Sequence, residues 1–75
     1  EIRFDLPRAG RVVVDVFDVA GRHVRRLLDD VRTADTHRAV WNGRDADGHG
    51  VASGVYHVVV RGADVRSYAK VTLVR

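Results

Sequence analysis

The segment WNGRDADGHGVASGVY, residues 41–56, holds most of the side chains in this sequence that could do chemistry. Asp45 and Asp47 followed by Gly48 have the layout with which a loop surrounds a hard cation such as calcium: alternate carboxylates reach one ion and a glycine permits the sharp turn. The spacing of an EF-hand loop fails, because its first ligand would be Gly43 and its closing carboxylate would be Gly54. Asx-turns, in which the Asp side chains cap backbone N–H groups of a glycine-rich connection, account for the pattern better. The expectation is no resident metal and no cofactor, with Asp45 and Asp47 the residues to watch.

The four histidines, His23, His37, His49 and His57, stand too far apart for a local ligand pair, so a metal site would need convergence from separate strands. His37 is expected to face the core, with one hydrogen bond. Ser53 and Ser67 lie in no nucleophile elbow, the glycine-rich stretches lack a phosphate-binding lysine, and Asn42 precedes Gly43-Arg44 and so is no glycosylation acceptor. Arg61-Gly62-Ala63-Asp64 reads as a turn. Trp41 and Tyr56 suit anchors between two sheets, the Tyr hydroxyl tying to loop backbone. Their alternative use is an exposed platform for a sugar, which a small domain can hardly spare.

The elements that must position these residues follow a period of two throughout. Ile2, Phe4 and Leu6 alternate with Arg3 and Asp5 before Pro7-Arg8-Ala9-Gly10 interrupts with a tight reversal. In the next strand, Arg11 to Asp18, Val12, Val14 and Val16 share one face, which predicts the core side, and Val13, Asp15 and Phe17 share the other. Asp18 and Gly21 bound a hairpin loop, the carboxylate accepting from nearby N–H groups and the glycine supplying a positive φ. A third strand over Arg22 to Asp29 loses strict alternation between Val24 and Leu27, which predicts a bulge or strand end. RHVRRLLDDVR also admits a short helix, against the β pattern around it. A crossover over Asp29 to Asp35 leads to strands over Thr36 to Trp41, Gly54 to Arg61 and Val65 to Arg75. In the last of these Val71 and Leu73 oppose Lys70 and Thr72.

Six to seven short strands joined by Gly, Asp and Pro turns predict an all-β fold: a small antiparallel β-sandwich, Ig-like or fibronectin type III-like, filling residues 1–75 as a single domain. The 75 residues have no cysteine, which excludes disulfide staples and thiolate zinc cages. A chain this short has little room for a walled active site. The charge is carried almost wholly by Arg and Asp, with Lys70 the single lysine and Glu1 the single glutamate, a bias typical of a GC-rich genome. The formal net charge of +3 is spread in mixed sign, with no basic run longer than Arg25-Arg26, so nucleic acid is not an expected partner. No stretch is long and apolar enough for a membrane span. The start at Glu1, without methionine or signal-peptide layout, reads as a piece of a longer, processed polypeptide.

VVVDVFDVAGRHVRRL, HRAVWNGRDADGHGVASGVYHVVV and KVTLVR together resemble the FlgD Ig-like domain, the C-terminal β-sandwich of the flagellar hook-capping protein, and the similar modules that end many secreted bacterial proteins as type IX sorting domains. The most specific part is residues 41–56, similar to the family pattern W-D-G-R-D-x-x-G-x-x-V-x-S-G-x-Y. It assigns a structural role to Asp18, Gly21, Trp41, Asn42, Gly43, Asp45, Gly48, Ser53, Gly54 and Tyr56. Asn42 departs from the family's usual Asp, and Asp35 stands where a Gly is common. The resemblance implies no catalytic residue. It implies a C-terminal structural or interaction module of an extracellular or cell-surface bacterial protein, whose partners are the rest of its parent polypeptide and the secretion or surface machinery. Lys70, Val71, Leu73 and Arg75 resemble the ending of a sorting signal and equally suit an ordinary edge strand. Self-association through Val-rich edge strands, as in a filament or hook cap, is the alternative.

Overall fold

The computed structural model describes residues 1–62 and 64–74. Six strands form two antiparallel sheets: β1 (Ile2–Asp5), β2 (Gly10–Asp18), β3 (His23–Arg32), β4 (Thr36–Ala39), β5 (Gly54–Gly62) and β6 (Arg66–Leu73). β1 pairs with β4 in a small sheet, and the larger sheet runs β3-β2-β5-β6. The all-β Ig-like sandwich expected from the alternation is therefore present, with no helix among the described residues; RHVRRLLDDVR is Arg22 followed by the whole of β3.

The core lies between the sheets. Val12, Val14 and Val16 from β2 and Val58 and Val60 from β5 face Phe4, Leu6 and Ala39 from the small-sheet side, with Tyr56 closing one end. β-branched valines on a pleated surface lose little rotamer freedom and interlock across it.

Several boundaries differ from the alternation reading. Residues 7–9 close no β1-β2 hairpin; they carry the chain across from the small sheet to the large one, and Leu6 N–H extends the small sheet by bonding Asp35 O at 2.9 Å. β3 runs past Asp29 to Arg32, and β4 ends at Ala39, before Trp41. β6 is described from Arg66 to Leu73; Arg75, assigned to the same strand, and Ala63 of the preceding turn lie outside the described residues. Val12-Val13-Val14 and Val58-Val59-Val60 sit in no edge strand, because β2 and β5 are each paired on both sides. This placement removes them as open edges for strand pairing with another chain.

The irregularity expected near Val24 and Leu27 is two bulges. Val14 faces Leu28 and Asp15 faces Arg26, leaving Leu27 as an extra residue; Val16 faces Arg25 and Phe17 faces His23, leaving Val24 extra. Both extra residues pack on the core. A bulge re-aims the side chains that follow it, and here Arg26 comes to lie opposite Asp15 on the outer face.

Candidate functional site

Two loops and one sheet face carry the polar side chains held in defined positions. In the β2–β3 turn, Asp18 Oδ1 accepts from Ala20 N and Arg22 N, both at 2.9 Å, and Oδ2 from Arg22 Nε at 2.9 Å. The Arg22 backbone bond leads in holding the Asp18 carboxyl below its ordinary range. Gly21, at φ 84°, occupies the left-handed region that the turn requires.

Residues 41–53 are ordered by their own hydrogen bonds. Trp41 Nε1 donates to Arg44 O at 2.9 Å, and Asn42 Oδ1 accepts from Arg44 N at 3.1 Å. Gly43 O accepts from Val51 N at 3.0 Å. Asp45 Oδ1 accepts from Asp47 N and His49 N, each at 3.0 Å, while Gly48 turns the chain at φ 84°. Asp45, Asp47 and His49 bring one ligand atom each within 4.8 Å of one another at the surface. Asp45 Oδ1 already serves two N–H groups, which is loop capping.

Ser53 precedes β5 and Gly54 opens it. Two residues on, Tyr56 is 7% exposed and donates its hydroxyl to Ala52 O at 2.6 Å, and its ring meets Trp41 edge-on with centroids 5.0 Å apart. The pair ties the loop to the core. A sugar platform needs Tyr56 exposed, and burial removes it from that use. Tyr56→Phe is expected to cost about 1 kcal/mol by leaving the Ala52 carbonyl unpaired, a fall of about 4–8 °C in melting temperature by calorimetry. An unchanged melting temperature would mean that the hydroxyl ties nothing.

His37, expected at the core, lies half-buried on β4 with its ring 5.7 Å from Phe4 and its Nε2 2.8 Å from Thr33 O. A cleft of about 700 Å³ opens at one end of the sandwich between residues 5–7, 34–36 and 64–67. Its three carboxylates are engaged: Asp5 accepts from Thr36 Oγ1 at 2.6 Å, Asp35 from Thr36 N at 2.8 Å, and Asp64 pairs with Arg8 at 2.6 Å.

The outer face of the larger sheet holds what alternation alone does not reveal. Asp15, mid-strand in β2, is 1% exposed. Its Oδ1 meets His23 Nε2 at 2.8 Å and Arg26 Nε at 2.9 Å, and its Oδ2 meets Arg61 Nη2 at 3.2 Å. Burial alone would raise the Asp15 pKa; the Arg26 and His23 hydrogen bonds and charges outweigh it and hold the carboxyl below the ordinary range. Beside it Arg11 grips Asp29 through two bonds, at 2.8 and 2.9 Å. The signal in the sequence is an acid set within a valine run.

Further along this face, on β6, the ring of Tyr68 stacks on His57 with centroids 5.2 Å apart, and its hydroxyl is hydrogen-bonded to His57 Nδ1. Arg11, Arg26, Arg61, Arg66 and Lys70 against Asp15 and Asp29 leave this face with a net +3, the formal charge of the whole chain. The mixed-sign surface inferred from the sequence is thus polarised in space.

The family model for the FlgD Ig-like domain matches residues 1–65, ending just before β6. No curated protein and no solved structure matches the chain.

Proposed function

This chain belongs to the FlgD Ig-like domain family, a structural and non-catalytic one, and from that premise we propose that it is a structural and interaction module of an extracellular bacterial protein, acting in secretion sorting or surface attachment. In this reading it is the C-terminal module of a longer secreted chain, and its partners are the rest of that chain and the secretion or surface machinery. The observation that carries the proposal is the family match over residues 1–65. The site geometry supports it: the motif residues of the 41–56 loop spend their polar groups on the loop itself, which is the behaviour of a scaffold. Lys70, Val71 and Leu73 lie in β6, an edge strand of the larger sheet, which is where a terminal recognition element would be accessible.

A secreted reporter fused ahead of this domain tests the sorting role. Removing residues 70–75 is expected to trap the reporter inside the cell, and unchanged export would defeat that role. The second reading, a subunit or scaffold domain of an extracellular filament or hook cap, draws its support from the same β6 edge. Light scattering at high concentration separates it, since a strict monomer sinks self-assembly.

A further inference from the structure

Four strands have an unpaired edge among the described residues, and they are not equivalent. β1 and β4 are four residues each, too short to template much pairing. β3 is broken by its two bulges. β6 is eight residues long, registered on β5 from Arg61↔Arg66 to Gly54↔Leu73 without a shift, and has no proline. A regular edge of this kind is a template for another strand.

The pairing parity says which groups it offers. Gly62 N–H donates to Val65 O at 2.8 Å, so Gly62 and Val65 form a hydrogen-bonded pair. Bonding alternates from there: Ser67, Ala69, Val71 and Leu73 face β5, whereas Arg66, Tyr68, Lys70 and Thr72 turn their N–H and C=O groups to the open edge. The same four residues point their side chains to the outer face. On β2, β3 and β5 the cations of that face are engaged, Arg11 with Asp29 and both Arg26 and Arg61 with Asp15. Among the described residues no carboxylate pairs with Arg66 or Lys70, and Tyr68 between them is 62% exposed.

We propose that the β6 edge takes up an extended acidic peptide segment of another polypeptide as a fifth strand, with carboxylates four residues apart opposite Arg66 and Lys70. The two cations stand roughly 13 Å apart along the strand, the span of four residues in an extended partner. Opposite charges directly across a ladder stabilise it and like charges oppose it. A second copy fits less well: pairing β6 with itself about Tyr68 sets Arg66 against Lys70, pairing about Lys70 sets that lysine against its own copy, and pairing about Ala69 avoids like charges but sets Arg66 against Thr72 and Lys70 against Tyr68, so neither cation meets a carboxylate. The proposal rests on the reading of the chain as an interaction module. It names the class of partner and the backbone groups that hold it.

The probe is a blocked seven-residue peptide of threonine and valine with glutamate at its second and sixth positions, compared with the same peptide carrying lysine there. Titration followed by amide hydrogen exchange is expected to protect the N–H groups of Arg66, Tyr68, Lys70 and Thr72 and leave those of Ser67, Ala69, Val71 and Leu73 unchanged. The lysine peptide is expected to bind at least tenfold more weakly. The double variant R66E/K70E, its fold checked by Trp41 fluorescence, is expected to reverse that preference. Protection without alternation, equal affinity for both peptides, or an unreversed preference in the folded variant would each overturn the proposal. The readout does not involve export, so this inference and the sorting role fail separately.

Discussion

Asp15→Asn is expected to destabilise the domain by about 2–4 kcal/mol, although residue 15 lies on the face of the sheet turned away from the core. The side chain is 1% exposed and its carboxylate is shared among His23, Arg26 and Arg61. An amide of the same shape loses the charge and turns an NH₂ group toward cations, so Arg61 loses its carboxylate partner and Arg26 keeps only Asp29, at 3.4 Å. The figure sits below that of a fully buried pair because both arginines are about half exposed. The pH dependence has a definite sign. The folded pKa of Asp15 is lowered, as are those of Asp18 and Asp29. Their contribution is therefore complete above the unfolded value of about 4 and is lost as the pH falls through the lower folded values. Urea unfolding of both proteins between neutral pH and pH 3 checks this: the wild type should lose stability below about pH 4, and the variant should lose less. Parallel curves would show that Asp15 is not linked to folding.

Phe4→Ala is expected to have the largest effect, about 3–5 kcal/mol. Phe4 is 4% exposed and, with Leu6 and Ala39, is how the small sheet enters the core. A domain of 75 residues has a total stability of about 4–11 kcal/mol, so the loss takes much of it. Two strands of four residues cannot persist alone in water, and β1 and β4 should lose their order with it. Calorimetry, together with exchange of the Phe4 and His37 neighbours' amides, reads both effects. A loss under 1 kcal/mol would mean that the small sheet is decoration on a self-sufficient larger sheet.

The local parts of this architecture were legible because they depend on near neighbours. Val12, Val14 and Val16 share a face by alternation alone, Asp18 and Gly21 define their turn within four residues, and Trp41 and Tyr56 belong to one loop. Even the irregularity at Val24 and Leu27 was visible as lost alternation. Pairing order was not legible, since it depends on contacts between distant segments: Ile2 against Ala39, and β2 between β3 and β5. That is why two valine runs suited to an edge proved to be interior. Asp15 shows a second limit. Alternation assigns its face correctly but is silent on whether three long side chains fold over it, and Arg26 reaches it only because a bulge shifts the register of β3.

The bulges of β3 have a consequence at the scale of assemblies. The larger sheet has one smooth border and one broken border, so strand addition there works in a single direction and uses up the receptive side. A module able to donate and accept through the same sheet would grow into an open-ended fibre. One with a single receptive border gives a fixed one-to-one stoichiometry. Growth by that route stops where it begins.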